Sequence, residues 1–406
     1  MKTIWMINQY SSTLETGYAG RTYYFAREFA KRGYEVYLIS TSFHHLMHTP
    51  FDLESNYKLT KIDGINYLCF KTFPYKSAHD KVRVVNWFVF AFRLFRLNKL
   101  ITEKPDMIFY SSPSMPPFLS AAKLAKKFKC PLVWDVRDLW PLTLTELAGM
   151  SQRHPMIKFM QWIEDKACKE SNFIISNWPY AINHLESRGA LKNKFLWIPN
   201  GISENEFYNC EPLSKKVKKI LPQDKFVVGY TGTFGDANAL DVLIKAAEKL
   251  KNFSDIAFVL VGRGKLKESI LSQLKIRNLS NVQVLNSIPK KQVPSMLKSF
   301  DICYVGFKDN SLYRFGSSLN KLPEYLMSER PIVYASNSSF KPINDAGAGI
   351  TVPAEDVDSI VKAIIELKSI GEKKRGLLGE NGKRHALANY SYAELTNKLE
   401  KFVFNL

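Results

Sequence analysis

The sequence predicts an α/β protein with two domains, each built on a doubly wound parallel sheet. The chain has 406 residues, which is more than one hydrophobic core usually organises. On both sides of residue 200, short apolar runs alternate with amphipathic segments, as in βαβ units. A polar segment rich in Lys, Glu and Pro, from Ser203 to Asp224, interrupts this alternation once. These observations together favour two Rossmann-like halves joined by a hinge near Asn200.

The first 200 residues contain six apolar runs of strand length and three amphipathic segments of helix length. Because helices separate the strands, we expect the strands to run parallel. The predicted strands are Thr3–Asn8, Glu35–Thr41, Ile65–Lys71, Met107–Ser111, Leu132–Asp135 and Phe173–Ser176. The predicted helices are Arg21–Arg32, Met115–Phe128 and Met156–Glu170.

The same pattern begins again after the polar segment. We therefore predict domains at residues 1–200 and 201–380, and a C-terminal helix at 381–406 that packs back on the first domain. The predicted strands are Phe226–Thr231, Ile256–Val261, Val282–Leu285, Ile302–Val305, Pro331–Tyr334 and Ile350–Val352. The predicted helices between them include Ala239–Lys251 and Lys265–Ile276.

Composition narrows the classes of partner. The formal net charge of +19 favours a polyanion, which includes nucleic acid, anionic lipid and phosphate-bearing substrates. The five cysteines form no CxxC pair, so we expect free thiols rather than a disulfide framework or a zinc site. The most apolar stretch, Val84–Phe92, has nine uncharged residues, whereas a spanning helix needs about 20. No nucleic-acid-binding motif is recognisable, and we expect no nucleic-acid partner.

Ligands of doubly wound sheets bind at the carboxyl ends of the strands, so the loops there are the candidate sites. The first such loop carries Gly17, Gly20 and Arg21 at the start of a predicted helix. Glycines let a phosphate or an acceptor approach backbone N–H groups, and Arg21 adds a cation. The alternative is that both glycines only shape the loop.

A second loop carries charged residues directly after a strand, in Asp135-Val136-Arg137-Asp138. A carboxylate there can orient a hydroxyl group, and an arginine can hold a phosphate. We assign these roles to Asp138 and Arg137. The alternative is a strand-end ion pair between Asp135 and Arg137.

Three loops of the second half have features of a diphosphate site. Gly232, Thr233 and Phe234 follow its first strand and offer backbone amides, and Arg263 lies between two glycines after the next strand. Further along, cations precede a carboxylate at a predicted helix start, which suits a diphosphate next to a ribose. The residues concerned are Arg314, Asn320, Lys321 and Glu324. Plain turns, and a helix-dipole role for Glu324, are the alternatives.

Three segments identify a family. The chain resembles retaining glycosyltransferases of family 4, in particular those of capsule, exopolysaccharide and O-antigen synthesis. The segments that carry the resemblance are Val133–Pro141, Ile198–Gly201, and Leu319–Met327 followed by Arg330–Val333. The resemblance implies the GT-B fold, with an acceptor-binding first domain and a donor-binding second domain that face a central cleft. It also implies a nucleotide-diphosphate sugar donor, more often UDP than GDP, retention of anomeric configuration, and neither a metal nor a cofactor. The acceptor it implies is a lipid-linked saccharide.

The chain departs from the family pattern at two places. The family has two glutamates separated by seven residues, and Glu324 matches the second, which contacts the donor ribose; Gly316 stands at the first. We expect the Ser-x-Asn-Lys stretch to substitute. The family's basic residues are also missing from the loop Phe234–Ala239, so Arg263, Arg314 and Lys321 become the candidates for the diphosphate.

The segment Lys81–Lys104 combines aromatic residues with cations, which is typical of a helix at a membrane interface. We expect it to dock the protein on the inner face of the cytoplasmic membrane; the alternative is a helix packed on the sheet. The predicted contacts are Trp87, Phe88, Phe92, Phe95, Arg93 and Arg96.

A nucleotide-sugar 2-epimerase of the same fold and a non-catalytic polyanion-binding protein are the alternative functions.

Overall fold

The computed structural model describes residues 1–77 and 80–405, which form two compact units. The first unit comprises Met1–Pro199 and the chain end from Leu395, and the second comprises Asn200–Glu394. The predicted break at residue 380 falls inside a continuous helix, Gly371–Tyr390, which belongs to the second unit. Of the C-terminal region predicted to pack on the first domain, the part that belongs to the first unit is therefore the last helix from Leu395 onward.

The first unit contains an eight-stranded sheet of order β3-β4-β2-β1-β5-β6-β7-β8. All neighbouring strands are parallel except β3 and β4, which form an antiparallel hairpin around Asp63 and Gly64. The strands are β1 (Thr3–Ile7), β2 (Glu35–Thr41), β3 (Tyr57–Ile62), β4 (Ile65–Phe70), β5 (Met107–Ser111), β6 (Leu132–Val136), β7 (Phe173–Ser176) and β8 (Phe195–Trp197).

Eight helices accompany this sheet within the described residues of the first unit, the last of them at the end of the chain. Asp80 caps α2 by accepting a hydrogen bond from the N–H of Val82. The helices are α1 (Arg21–Lys31), α2 (Lys81–Leu94), α3 (Leu97–Leu100), α4 (Pro117–Phe128), α5 (Leu142–Glu146), α6 (Pro155–Glu170), α7 (Ile182–Leu185) and α17 (Tyr392–Phe404).

The second unit contains a six-stranded, wholly parallel sheet of order β11-β10-β9-β12-β13-β14. Its strands are β9 (Phe226–Thr233), β10 (Ile256–Arg263), β11 (Val282–Asn286), β12 (Ile302–Gly306), β13 (Ile332–Ala335) and β14 (Gly349–Val352). Its helices are α8 (Glu204–Tyr208), α9 (Lys215–Ile220), α10 (Leu240–Lys249), α11 (Lys267–Ile276), α12 (Val293–Lys298), α13 (Leu322–Met327), α14 (Pro342–Ala346), α15 (Val357–Ser369) and α16 (Gly371–Tyr390).

Two strands lie where the sequence predicted none. Strand β3 is a mostly exposed edge strand, so its residues lack the continuous apolar run that identifies a buried strand. Strand β8 has only three residues. Within the described residues, no helix has both the length and the apolar composition that crossing a membrane requires.

A buried ion pair joins distant segments of the first unit. Arg21 Nη2 lies 3.2 Å from Asp135 Oδ1, and both side chains are almost fully buried. Asp135 Oδ2 accepts a hydrogen bond of 2.7 Å from Ser111 Oγ, and Arg21 Nη1 donates to the carbonyl of Ile198 at 3.0 Å. The pair therefore connects the start of α1, the ends of β5 and β6, and the residue after β8.

We predict that Arg21→Met lowers the free energy of unfolding of the first unit by about 3–5 kcal/mol, because it leaves the Asp135 carboxylate buried without its cation. Urea unfolding followed by circular dichroism measures the loss. The double variant Arg21→Met, Asp135→Leu removes both charges and should be more stable than the sum of the two single losses implies. Strict additivity would show that the two side chains are not coupled.

Candidate functional site

The carboxyl ends of β9 and β10 approach each other closely, and glycines make this possible. Gly262 pairs with Gly232, and a Cβ on Gly262 would lie 1.9 Å from the Gly232 carbonyl oxygen. A Cβ on Gly264 would lie 2.3 Å from the carbonyl oxygen of Phe234. Gly232 has a φ of 150°, and a Cβ there would lie 3.0 Å from Lys321 Nζ. The glycines therefore allow the backbones and Lys321 to pack together.

Phe234 does not line a ligand site. Its ring is fully buried in the core of the second unit. Its N–H donates to the carbonyl of Arg263 at 2.8 Å, and its carbonyl accepts from the N–H of Leu266 at 3.1 Å. The structure therefore corrects the prediction that Phe234 contacts the donor. Thr233 is exposed, and its carbonyl accepts hydrogen bonds within the same loop.

Lys321 reaches the loop after β9 from a distant part of the sequence. Its Nζ donates to Tyr230 Oη at 2.9 Å and to Asn238 Oδ1 at 2.8 Å, and it lies 4.1 Å from the centre of the Tyr230 ring. Burial lowers the pKa of the Lys321 ammonium group to about 7. The loop Phe234–Ala239 has no basic residue of its own, so Lys321 brings an amine to it.

The position of Lys321 depends on Tyr325, on the first turn of α13. Strand β12 pairs with β9 only at Val228 and Gly229. Beyond that point the buried Tyr325 hydroxyl accepts from the N–H of Thr231 at 2.7 Å and donates to its carbonyl at 2.9 Å. These two hydrogen bonds attach α13 to the end of β9. We call Tyr230, Asn238, Lys321 and Tyr325 the Lys321 cluster.

The other residues predicted for this side lie nearer the surface. Glu324 is half-buried and forms an ion pair with Lys290. Asn320 and Arg263 are exposed. Arg314 is also exposed; it lies 4.3 Å above the Phe315 ring and donates to the carbonyl of Ser311 at 2.7 Å. The structure thus brings Gly232 and Lys321 together, and these other polar side chains lie at or near the surface of the second unit.

Gly316 stands where the family has its first glutamate, and its backbone explains the difference. Its φ is 93° and its ψ is −160°, a combination that glycine adopts almost alone. The next residue is fixed, because Ser317 Oγ lies 2.8 Å from the buried Tyr334 hydroxyl. A glutamate at position 316 would require a different course of this loop.

In the first unit, the start of α1 and the loop after β6 lie side by side. A Cβ on Gly20 would lie 3.8 Å from Arg137 Nη1. The N–H of Arg137 donates to Ser112 Oγ at 2.9 Å, which fixes the loop after β6. Burial raises the pKa of the neighbouring Asp138 carboxyl, and the charge of Arg137 opposes this shift. Arg137 and Asp138 thus lie at the carboxyl edge of the sheet.

One further prediction for the first loop needs correction. Arg21 does not face a ligand, because its guanidinium group is buried in the ion pair with Asp135. That carboxylate therefore does not pair with Arg137 as the alternative supposed. Gly17 forms an isolated bridge with Met47, and a Cβ there would lie 2.9 Å from the carbonyl oxygen of Leu46. Gly17 therefore allows the two loops to pack.

The structure adds a cluster that sequence reasoning missed. Tyr10 Oη accepts hydrogen bonds from Arg83 Nε at 3.0 Å and from Trp87 Nε1 at 2.6 Å. The Trp87 and Trp140 rings meet edge to face at 6.3 Å, and the His44 ring lies 5.8 Å from the Tyr10 ring. We call these five residues the Tyr10 cluster. Its charge reaches the neighbouring loop, because Arg83, like Arg137, opposes the rise that burial causes in the pKa of Asp138.

Trp87 was predicted to contact a membrane, and the structure corrects this assignment. Its side chain is buried, with 4% of its surface exposed, and its indole N–H is bonded to Tyr10. Two sequence signals could have indicated the cluster: Tyr10 follows β1 at the carboxyl edge, and Arg83 and Trp87 are four residues apart on one helix.

Exposed aromatic rings from two helices form what we call the aromatic surface. On α2 and just after it, Phe88, Phe92 and Phe95 are exposed. Phe88 stacks on Phe159 of α6, and Phe159 stacks on the exposed Trp162, each pair with ring centres 6.0 Å apart. Cations lie against this surface: Lys123 Nζ is 5.2 Å from the Phe95 ring, and Lys166 Nζ is 6.0 Å from the Trp162 ring.

Comparisons with known proteins cover both units. Residues 17–206 match the sequence model of Glycosyltransferase Family 4, and residues 214–385 match that of Glycosyl transferases group 1. No match was found among curated protein sequences.

Solved structures with the same fold share little sequence with this chain. Sucrose-phosphate synthase from Thermosynechococcus elongatus has a TM-score of 0.73 at 14% identity, over 100% of this chain and 99% of that one. HepE from Anabaena, in complex with UDP-glucose, has a TM-score of 0.68 at 14% identity, over 100% of both chains. WaaG, a glycosyltransferase involved in lipopolysaccharide biosynthesis, has a TM-score of 0.66 at 14% identity, over 98% of this chain and 99% of that one.

The matched segments coincide closely with the two Rossmann-like units, and the solved structures align with the chain over nearly its whole length. The chain is therefore a glycosyltransferase with the GT-B fold, with domains of the family 4 and group 1 types.

Proposed function

We propose that this glycosyltransferase moves a sugar from a UDP-sugar to a lipid-linked saccharide at the inner face of the cytoplasmic membrane, during synthesis of a bacterial surface polysaccharide. The strongest support is the Lys321 cluster, where an amine lies among polar groups at the carboxyl end of β9. That is where doubly wound sheets bind nucleotides. HepE, which has a similar structure, is described in complex with UDP-glucose.

On the donor side, Lys321 neutralises charge on the diphosphate. Glu324, at the start of α13, accepts hydrogen bonds from the ribose hydroxyls, as the family resemblance implies. Lys290 is paired with Glu324 in this structure. When the donor binds, the ribose hydroxyls either replace Lys290 as partners of Glu324, or Lys290 moves together with the carboxylate. Asn320, Arg263 and Arg314 are exposed and remain candidates for further contacts to the sugar and the diphosphate.

The proposed transfer retains the anomeric configuration, as the family resemblance implies. The bond between the sugar's anomeric carbon and the diphosphate oxygen breaks, and a bond from that carbon to the acceptor hydroxyl oxygen forms on the same face. Lys321 stabilises the negative charge that develops on the departing diphosphate. The hydroxyl proton passes to a departing phosphate oxygen, while Asp138 orients the hydroxyl. As proposed, the step uses neither a metal nor a cofactor.

On the acceptor side, the Tyr10 cluster lies next to Asp138 in the first unit. The other rings of this cluster are buried, so the half-buried Trp140 is the ring on which the C–H face of a saccharide can pack, while hydroxyl groups of the saccharide form hydrogen bonds. Arg83 and Arg137 supply cations for an acceptor that carries phosphate. This combination supports a charged saccharide rather than a small neutral one.

The aromatic surface supports a location at the membrane. Stacked rings connect α2 to α6 through Phe159, and lysines lie against rings at both ends of the surface. Interfacial helices place such rings at the headgroup boundary, and each cation near an anionic leaflet contributes about 1 kcal/mol. The structure moves Trp87 out of this surface and adds Phe159 and Trp162 to it.

We predict that donor affinity falls with rising pH because of Lys321. An anionic donor binds the ammonium form, and burial has lowered the pKa of that group to about 7. Above this pH the amine must take up a proton on binding, so the dissociation constant for UDP should rise between about pH 7 and 8.5, by up to about tenfold per pH unit. Isothermal titration calorimetry measures this dissociation constant at each pH. The phosphates of UDP are almost fully ionised throughout this range, so their titration contributes little to the change.

Two variants make this test specific. Lys321→Arg keeps its charge at every pH of the series, so its affinity for UDP should not vary with pH. Lys321→Met should bind UDP weakly and also without pH dependence. If wild type and Lys321→Arg show the same pH profile, another group is titrating and Lys321 does not contact the diphosphate.

We predict that Asp138→Asn reduces turnover more than donor binding. The assay incubates the enzyme with a panel of radiolabelled UDP-sugars, with and without a lipid extract of bacterial membranes, and follows the label into lipid. Wild type should label lipid with at least one donor. Asp138→Asn should lower kcat by about 100-fold, in the range of a positioned catalytic group, and leave UDP affinity near that of wild type. Loss of UDP binding with normal turnover would reverse the assigned roles, and no labelled lipid with any donor would contradict the acceptor class.

We predict that the aromatic surface binds anionic membranes. Wild type should cosediment with vesicles of phosphatidylglycerol and phosphatidylcholine, less with phosphatidylcholine alone, and less as salt rises. Phe95→Ser with Trp162→Ser should lower the bound fraction severalfold. The matched control, Phe253→Ser with Ile276→Ser, removes two exposed apolar side chains from the second unit and should bind as wild type does. Equal binding by both double variants would contradict the docking surface.

A further inference from the structure

A groove of about 470 Å³ lies beside the aromatic surface, between α2 and the β3–β4 hairpin of the first unit. One wall consists of Phe88, Val89 and Phe92 from α2, and the other of Tyr57 and Phe70 from the hairpin. Phe92 is the most exposed of these side chains, at 67%. The groove therefore has an apolar wall on each side and is open to the surface.

Two arginines line the same groove, one turn apart near the C-terminal end of α2. Arg93 is half-buried, and its guanidinium group donates to Asn56 O at 2.7 Å and to Asn56 Oδ1 at 3.3 Å. Arg96 is exposed. In the described part of the chain, neither arginine has a carboxylate within ion-pair distance.

The two guanidinium groups lie close enough to oppose each other's charge. Burial lowers the pKa of Arg93, and the charge of Arg96 lowers it further. A favourable interaction with the helix dipole accounts for cations at this end of α2, because the C-terminus of a helix carries partial negative charge. It does not account for the apolar groove that the same two side chains border.

We propose that this groove binds one anionic membrane phospholipid, with a hydrocarbon chain along the apolar walls and the phosphate between Arg93 and Arg96. The proposal rests on the membrane docking described above and makes it specific: one lipid is held in a defined site rather than by general contact with the bilayer. Fork-shaped guanidinium groups are suited to phosphate oxygens, and two of them complement its charge.

A peptide strand added to the edge strand β3 is the competing occupant. Strand β3 carries Lys58 and Lys61, and both are exposed. Exposed lysines on an edge strand oppose pairing with another strand. Strand addition would also leave the phenylalanines of α2 uncovered, since it uses the backbone of β3. The lipid fits both the apolar walls and the cations.

The test uses short-chain lipids below their micelle concentration, so that no membrane is present. Dihexanoyl-phosphatidylglycerol is titrated into the full-length protein by isothermal titration calorimetry and compared with dihexanoyl-phosphatidylcholine and with glycerol phosphate. One phosphatidylglycerol should bind per chain, at least tenfold more tightly than either of the others. Phosphatidylcholine has the chains without net charge, and glycerol phosphate has the charge without the chains.

Variants assign the binding to the groove. Arg93→Gln with Arg96→Gln should abolish the preference for phosphatidylglycerol over phosphatidylcholine. The matched control Lys99→Gln with Lys104→Gln removes two exposed cations from the same region and should keep the preference. Val89→Trp should fill the groove and weaken the binding of both lipids at least tenfold. Thermal unfolding followed by circular dichroism verifies that each variant is folded.

The outcomes separate this proposal from the proposed function. Equal binding of the two lipids by wild type, or an unchanged preference in Arg93→Gln with Arg96→Gln, would overturn the lipid site. Tight binding of glycerol phosphate alone would also overturn it, because the chains would then contribute nothing. Phe95→Ser with Trp162→Ser should keep short-chain binding while its vesicle-bound fraction falls severalfold. Failure of the transferase assay with this binding intact would contradict the proposed reaction and leave the lipid site standing.

Discussion

The parallel course of the strands is the constraint on which both candidate sites depend. In the first unit every strand except β3 runs in the same direction, and in the second unit all six do. The loops that follow these strands must therefore emerge at one edge of each sheet, however far apart they lie in sequence. Arg21 and Asp135 hold that edge in the first unit, and Tyr325 holds it in the second by bonding both backbone groups of Thr231. Polar side chains from distant segments of the sequence therefore meet at that edge.

Lys321 illustrates how such an edge acquires a chemical property. A buried ammonium group loses hydration, and the pKa near 7 expresses that loss. Its partners, the Tyr230 hydroxyl and the Asn238 carbonyl oxygen, are neutral acceptors and do not replace a full counter-ion. A diphosphate bound there, as proposed, would supply the missing negative charge and favour the ammonium form of Lys321. Without that ligand, burial disfavours the ammonium form. The same burial that weakens the resting charge makes the interaction with an anion stronger.

Sequence patterns predicted the strands that have a buried apolar run. They failed where an element has no such run, or where the same residues fit two different structural roles. Strands β1, β2 and β5 could be located almost to the residue, whereas the exposed edge strand β3 has no such run. Glycines at positions 232, 262 and 264 indicated a phosphate loop, but here they permit backbones to approach, and Phe234 fills the core behind them. The two hydrogen bonds of the Tyr10 cluster join residues more than 70 positions apart, which no local pattern reveals.

Helix α2 could not be assigned from its sequence to either membrane contact or packing on the sheet, because it has aromatic residues on two opposite faces. Asn86, Trp87, Phe90 and Leu94 are buried, while Phe88 and Phe92 are exposed, so aromatic residues occur on opposite sides and no one face is polar. Trp87 and Arg83 contact Tyr10, next to Asp138, on the inner face. Arg93 borders the groove on the outer one. A rigid helix of 14 residues cannot shift one face without the other. A membrane or a lipid that fixes the outer face would therefore also fix the residues beside Asp138, which would couple the proposed docking to the arrangement of the proposed acceptor site.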